Sequence, residues 1–230
     1  MLRFEQAGAQ LGDFRLGADF DVNPGARVAV IGPSGSGKST LLGMVAGFVP
    51  LSAGRVTWQG RDLGPMAPGA RPVSILFQDQ NLFGHLSVGQ NVGLGLRPDL
   101  RLSAEQRAAV ARALADVGLA GMEDRRPAQL SGGQQGRVAL ARVALRARPI
   151  LLLDEAFAAL GPALKAEMLA LLGRIADDSG ATVLMVTHDP DDARAFAPET
   201  VVVMDGAAQP PVPTGPLLDA PPPALAAYLG

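Results

Sequence analysis

Residues 32–40 read GPSGSGKST, and the spacing Gly32-x4-Gly37-Lys38-Ser39 within them is that of a phosphate-cradling P-loop. This feature constrains the fold as well as the chemistry. The loop works only where a strand delivers it and a helix leaves from it, because glycines turn successive backbone N–H groups into one concavity and the helix N-terminus adds partial positive charge. Both neighbours are present. Arg27-Val-Ala-Val-Ile31 is a β-rich apolar run, and Leu41-Leu-Gly-Met-Val-Ala-Gly47 can continue as a helix. The side chains then fall into place: Lys38 meets the β- and γ-phosphates, and the Ser39 hydroxyl is a ligand for Mg²⁺. The chain has two lysines, Lys38 and Lys165, so Lys38 is not there through sheer abundance. Gly32, Pro33, Ser34, Gly35, Ser36, Gly37, Lys38, Ser39 and Thr40 are the expected phosphate-contacting residues.

The rest of the chain can build the sheet such a loop needs. With 230 residues and 48% hydrophobic content it can bury a substantial core. A formal net charge of −2, with both signs interspersed, marks no basic stripe and counts against nucleic acid as the main partner. There is no cysteine, hence no disulfide framework or thiolate metal site. The first ten residues, MLRFEQAGAQ, lack a continuous apolar stretch, and nowhere do about 18 uncharged apolar residues run together. A soluble protein made where ATP is, in the cytosol, is the expectation.

Short apolar strands alternate with helical stretches, which predicts a parallel α/β core. From Ser103 the pattern changes. Ser103-x-x-Gln106 is a capping box, and Val110, Leu114 and Val117 recur on one helical face until Gly118. The spacing predicts an inserted helical region over about 87–145. The core resumes at Ile150-Leu-Leu-Leu153, followed by a helix with Pro162 in its first turn, a strand over 182–187 and another over 201–204. Beyond Gly206 come seven prolines, which predict an extended arm ending in the apolar patch 225–229.

Two further motifs carry chemistry. The aliphatic run ends in Asp154-Glu155, where a buried strand delivers acid to the sheet edge: Asp154 can hold Mg²⁺ through water, and Glu155 can polarise an attacking water. Leu130-Ser-Gly-Gly-Gln134 opens a helix, and Ser131, Gly132, Gly133 and Gln134 could form a second anion site. One γ-phosphate cannot easily use two such sites of one chain, so the second points to another copy. An ordinary serine cap with a glycine turn is the plainer reading of the same residues.

P-loop, LSGGQ, LLLLDE and a following histidine, in this order, resemble the nucleotide-binding subunit of ABC transporters over about residues 1–206. The resemblance implies a P-loop NTPase (RecA-like) fold: a parallel-sheet core with an N-terminal antiparallel β region and the inserted helical subdomain, followed by a tail over 207–230. It implies an ATPase that uses ATP and Mg²⁺ and works as a homodimer on integral-membrane permease subunits, at the cytoplasmic face of the bacterial plasma membrane, with an external binding protein acting indirectly. Gln78 matches the glutamine that senses Mg²⁺ and the lytic water, and His188 matches the histidine that contacts the γ-phosphate. The catalytic set implied is Glu155, His188 and Gln78; the metal set is Ser39, Gln78 and Asp154. The resemblance is incomplete at two places. No tyrosine stands where the family stacks an aromatic on adenine, leaving Phe14 either as that aromatic or as core, and Ala158-Ala-Leu-Gly161 lacks the hydroxyl and carboxylate usual after the catalytic glutamate. Residues 71–86 and 90–96 resemble most closely the ATPase subunits of thiamine importers; sulfate, iron or polyamine import, or a non-transport ABC-type ATPase acting on DNA or ribosomes, are the alternatives. Residues 81–90 are expected to receive the permease, with Leu82 and Phe83 as anchors unless they are core.

Overall fold

The computed structural model describes residues 1–79 and 81–229. In chain order the elements are β1 (Leu2–Leu11), β2 (Phe14–Val22), β3 (Arg27–Ile31), α1 (Lys38–Ala46), β4 (Ala53–Trp58), β5 (Arg61–Asp62), β6 (Val73–Phe77), α2 (Val88–Gly93), α3 (Ala104–Asp116), α4 (Gly132–Arg146), β7 (Ile150–Asp154), α5 (Pro162–Ser179), β8 (Thr182–Val186), α6 (Pro190–Phe196), β9 (Glu199–Met204), β10 (Ala207–Ala208), β11 (Val212–Pro213), α7 (Thr214–Asp219) and α8 (Pro223–Leu229). They fall into two compact units: Met1–Val73 with Pro149–Glu155 and Gly180–Gly230, and Ser74–Arg148 with Ala156–Ser179.

In the first unit the strands run in the order β5-β4-β1-β2-β10-β9-β3-β8-β7, with β11 on β9. The short aliphatic runs β9, β3, β8 and β7 pair in parallel. Their side chains are buried on both faces, as the consecutive pairs Val28 and Ala29, Leu152 and Leu153, and Val183 and Leu184 show, which is why they read as continuous apolar runs rather than alternating ones. The N-terminal pair β1 and β2 is antiparallel, and β2 alternates buried and exposed residues along its length. Strand β10 stitches the two regions together, parallel to β2 and antiparallel to β9. The tail is not an extended arm. Residues 214–219 and 223–229 are helical, Pro223 stands at the start of α8 where its missing N–H costs nothing, and Leu225 is 1% exposed.

The second unit is helical. On α3, Val110, Ala113 and Leu114 form the buried stripe, and the Ser103–Gln106 capping box starts the helix. On α4, Val138, Leu140 and Ala141 are buried. Arg137 ties α4 to α5 by an ion pair with Glu167 at 2.8 Å.

Candidate functional site

Parallel strands present their carboxyl ends on one side, and open α/β sheets bind ligands there. Registers Val30↔Val186 and Asp154↔Val186 bring the ends of β3, β8 and β7 level with one another. From these three ends the chain delivers, in turn, the glycine loop, His188 and Glu155. Backbone bonds fix the exits: Glu155 N–H donates to Val186 O at 3.2 Å, and Thr187 N–H to Val30 O at 3.2 Å.

The loop needs its glycines. Gly32 has φ 150, and a Cβ there would run into the carbonyl of Val203. Gly37 has φ 107 and serves as the N-cap of α1 with no side-chain cap, so the first-turn N–H groups are not claimed by a side chain of the chain itself. A Cβ on Gly37 would lie 2.7 Å from the Phe14 ring. Phe14 is therefore half-buried against the loop, a long-range contact of β2 invisible to local pattern. Ser36 Oγ is buried within the loop without a hydrogen-bond partner.

Lys38 is 8% exposed, and its ammonium donates to Gly32 O at 2.7 Å and Pro33 O at 2.9 Å. Burial lowers its pKa from the ordinary lysine value, opposed by the Glu155 and Asp154 carboxylates. Ser39 Oγ donates to Asp154 Oδ1 at 3.0 Å, joining residues far apart in sequence. Burial raises the Asp154 pKa and Glu155 raises it further, against the opposing effects of the Ser39 hydroxyl and Lys38. A half-buried carboxylate beside a hydroxyl, with a second carboxylate next in sequence, is a place that favours a hard cation. His188 Nδ1 lies 3.4 Å from Glu155 Oε2, and Glu155 takes a left-handed backbone, φ 50.

Gln78 and Ser131, Gly132, Gly133 and Gln134 belong to the second unit. Gln78 follows β6 and is exposed. Ser131 is the N-cap of α4 within a complete capping box: its Oγ accepts from Gln134 N–H at 3.3 Å, and Gln134 Oε1 accepts from Ser131 N–H at 3.0 Å. The plainer reading of these residues thus holds in the single chain. A Cβ on Gly133 would meet Leu164 of α5 at 2.6 Å, whereas one on Gly132 would meet nothing. Phe83 is 49% exposed and so is not core; Leu82 is half-buried. The Phe83 and His85 rings meet edge to face at 6.0 Å. Gln80, inside the quoted segment, lies outside the described residues.

A family model described as ABC transporter matches residues 16–158. The chain belongs to the ABC transporter family. Among curated proteins, this ABC ATPase is 63% identical to the thiamine import ATP-binding protein ThiQ of Cereibacter sphaeroides and 56% identical to that of a Ruegeria species, over 100% of each chain in both cases. Among solved structures it is similar to a dimeric post-hydrolysis ATP-binding cassette bound to ADP and Pi, with TM-score 0.78 and 29% identity over 93% of this chain and 99% of that one. A second dimeric structure of a bacterial ABC transporter cassette gives TM-score 0.79 at 28% identity, with the same coverage.

Sequence reasoning missed two polar groups, Arg71 and Tyr228. Arg71, 6% exposed, donates from Nη1 to Met44 O and Val45 O, both at 2.8 Å, and from Nε to Met66 O at 3.1 Å. It closes the carboxyl end of α1, whose amino end carries Lys38 and Ser39, in the favourable orientation for a cation on a helix dipole. Burial, with the Glu155 carboxylate adding to it, pushes the Tyr228 phenol up. Both are placed by long-range packing that no spacing announces, and the same packing sets Phe14, which the sequence left between adenine stacking and core, against Gly37 of the loop.

Proposed function

We infer that this chain is the ATP-hydrolysing subunit of an importer that takes up thiamine or thiamine phosphate. The observation that carries the reading is the full-length 63% identity to a thiamine import ATP-binding protein, joined to the convergence of three strand ends at Lys38, Asp154, Glu155 and His188. Nucleotide phosphates lie along Gly32 to Thr40, with the N–H groups of α1 and the Lys38 ammonium as donors. Phe14, at the edge of this loop, is the aromatic offered to adenine. Ser39 and Asp154 would hold Mg²⁺, with Gln78 the metal-sensing glutamine that the family resemblance implies, and the ion when bound would neutralise phosphate charge. Glu155 takes the proton of the attacking water, and His188, 3.4 Å away, orients that carboxylate and meets the γ-phosphate. ATP shared between the loop of one copy and Ser131 and Gly133 of a second would draw two copies together head to tail, and hydrolysis would release them.

The ATPase domain spans 1–206 on this reading, with the helical subdomain inserted over about 87–145 and the tail over 207–230. No helix among the described residues is long and apolar enough to cross a membrane, and the chain works at the cytoplasmic face through permease subunits docked on Phe83, His85 and their neighbours. The test is ATPase activity of the reconstituted transporter with and without thiamine-loaded binding protein. Stimulation by thiamine and by none of sulfate, ferric ion or spermidine is the expected result; stimulation by one of the others instead overturns the cargo. In the same assay Glu155→Gln is expected to bind ATP normally and turn over about 10²- to 10⁴-fold more slowly. Retention of more than about half the rate moves the base to another group.

A further inference from the structure

The second unit contains two inward-facing polar side chains that the ATP chemistry does not use. Asn91 on α2 is 0% exposed. Its Oδ1 accepts from Phe83 N–H at 2.8 Å, and its Nδ2 donates to Phe83 O at 3.1 Å and Ser87 O at 3.0 Å, with a longer contact to Leu86 O at 3.4 Å. One amide thus closes the whole turn that displays Phe83 and His85. Arg142 lies on α4, roughly eleven residues or about 16 Å along the helix from Ser131. Its Nη1 donates to the Asn81 carbonyl at 2.8 Å, and Asn81 takes a left-handed backbone, φ 46, which asparagine adopts more readily than other side-chain-bearing residues. Burial, and then the neighbouring Arg146, hold the Arg142 guanidinium below its ordinary pKa. A desolvated cation beside a like charge is an unfavourable element unless its hydrogen bonds are made.

The two elements also meet through bare backbone. A Cβ on Gly95, just past α2, would stand 2.5 Å from Arg142 O and 3.3 Å from Arg146 N. No flexible side chain cushions this approach, so displacement of α2 is passed directly to α4. The loop is bonded to α2 by Asn91, α2 abuts α4 at Gly95, and the start of the loop is bonded to α4 by Arg142. Three contacts of this kind leave the loop and the helix little freedom to move separately.

We propose that Asn91 and Arg142 are positioning residues that lock residues 81–87 onto the helix begun by Ser131, so that a permease bearing on Phe83 moves Ser131 with it. The inference rests on the docking reading of residues 81–90 given above. Each acts through the loop and the helix it joins.

The test uses the complete transporter in liposomes, with thiamine and its binding protein, beside the ATPase chain alone. Arg142→Met is expected to leave basal kcat and the KM for ATP within about twofold, and to leave co-purification with the permease intact, while stimulation by thiamine falls at least about fivefold. Arg142→Lys, which keeps a donor for the Asn81 carbonyl, is expected to recover half of that stimulation or more. Equal loss of basal and stimulated activity, or unchanged stimulation, overturns the link. Phe83→Ala separates the two layers. If it assembles and responds to thiamine normally, the docking face is wrong; if it fails while Arg142→Met responds normally, the face stands and the link is wrong. Should Arg142→Met not fold, hydrogen exchange on the unmodified transporter gives the answer: amides of 83–91 and of 132–146 change protection together when thiamine is added, and a change confined to the first segment refutes the lock.

Discussion

The loop entering α1 and the loop entering α4 both lead serine and glycine into a helix N-terminus, yet they treat the helix's unpaired N–H groups in opposite ways. At α1 the cap is Gly37 in a left-handed conformation, with no side chain bonded to the first turn, and a buried Ser36 hydroxyl stands without a partner. At α4 the cap is Ser131, and a reciprocal box with Gln134 satisfies both ends. The first loop holds donors in reserve for an anion; the second has already used its own and can offer the remainder only where another surface brings the anion to it. On the proposed function, that difference in local hydrogen bonding suits one loop to bind by itself and the other to complete a site shared with a second copy.

The largest effect that can break this contrast is on nucleotide affinity of the dilute single chain. Lys38→Ala removes the charged donor and also strands the carbonyls of Gly32 and Pro33, so ATP binding weakens by about 10²-fold, the worth of one or two charge-assisted hydrogen bonds. Ser131→Ala is expected to leave it within about twofold, because on the proposed function its loop serves a second copy. Titration with a fluorescent ATP analogue at low protein concentration reads both, and equal losses would sink the contrast.

Next in size is thermal stability. Ser131→Ala forfeits a helix cap worth about 1 kcal/mol, a fall of about 2–4 °C in Tm for a chain of this length. Ser36→Ala removes a hydroxyl that bonds to nothing, so Tm stays level or rises. A calorimetric scan showing Ser36→Ala the more damaging would mean the two serines have been assigned the wrong way round.

The smallest effect sharpens the comparison by pH. Burial raises the Asp154 pKa, so the folded chain without nucleotide binds this proton more tightly than the unfolded chain does. Stability from this group is therefore gained as pH falls through the raised pKa and is complete below the unfolded value of about 3.9. Asp154→Asn is expected to melt slightly higher than the parent at pH 7, and the gap should close as pH falls toward that value. A gap that widens on acidification would show that the carboxylate is held in its charged form.

Where local chemistry decided the structure, the sequence was readable. The aliphatic runs of β3, β7 and β8, the Ser103 and Ser131 caps and the glycine loop all follow from spacing within a few residues. The tail was misread because seven prolines suggest an extended chain, whereas Pro223 begins a helix that buries Leu225. That burial is decided by the rest of the fold. Arg71, Asn91 and Arg142 left no trace in the pattern, because each bonds backbone carbonyls, which every residue possesses. Phe14 could be narrowed to two roles by position, and only its packing on Gly37 shows that it borders the loop.

Glu155 sits at φ 50, a conformation that glycine adopts freely and that costs a side-chain-bearing residue on the order of 1 kcal/mol or more. The carboxylate at the end of β7 is thus carried on a piece of main chain that would be more comfortable without any side chain. Directed evolution for heat resistance alone would be drawn to glycine at this position, improving the fold while deleting the carboxylate proposed to activate water. Any programme to toughen this ATPase must therefore exempt residue 155 and select for turnover alongside survival.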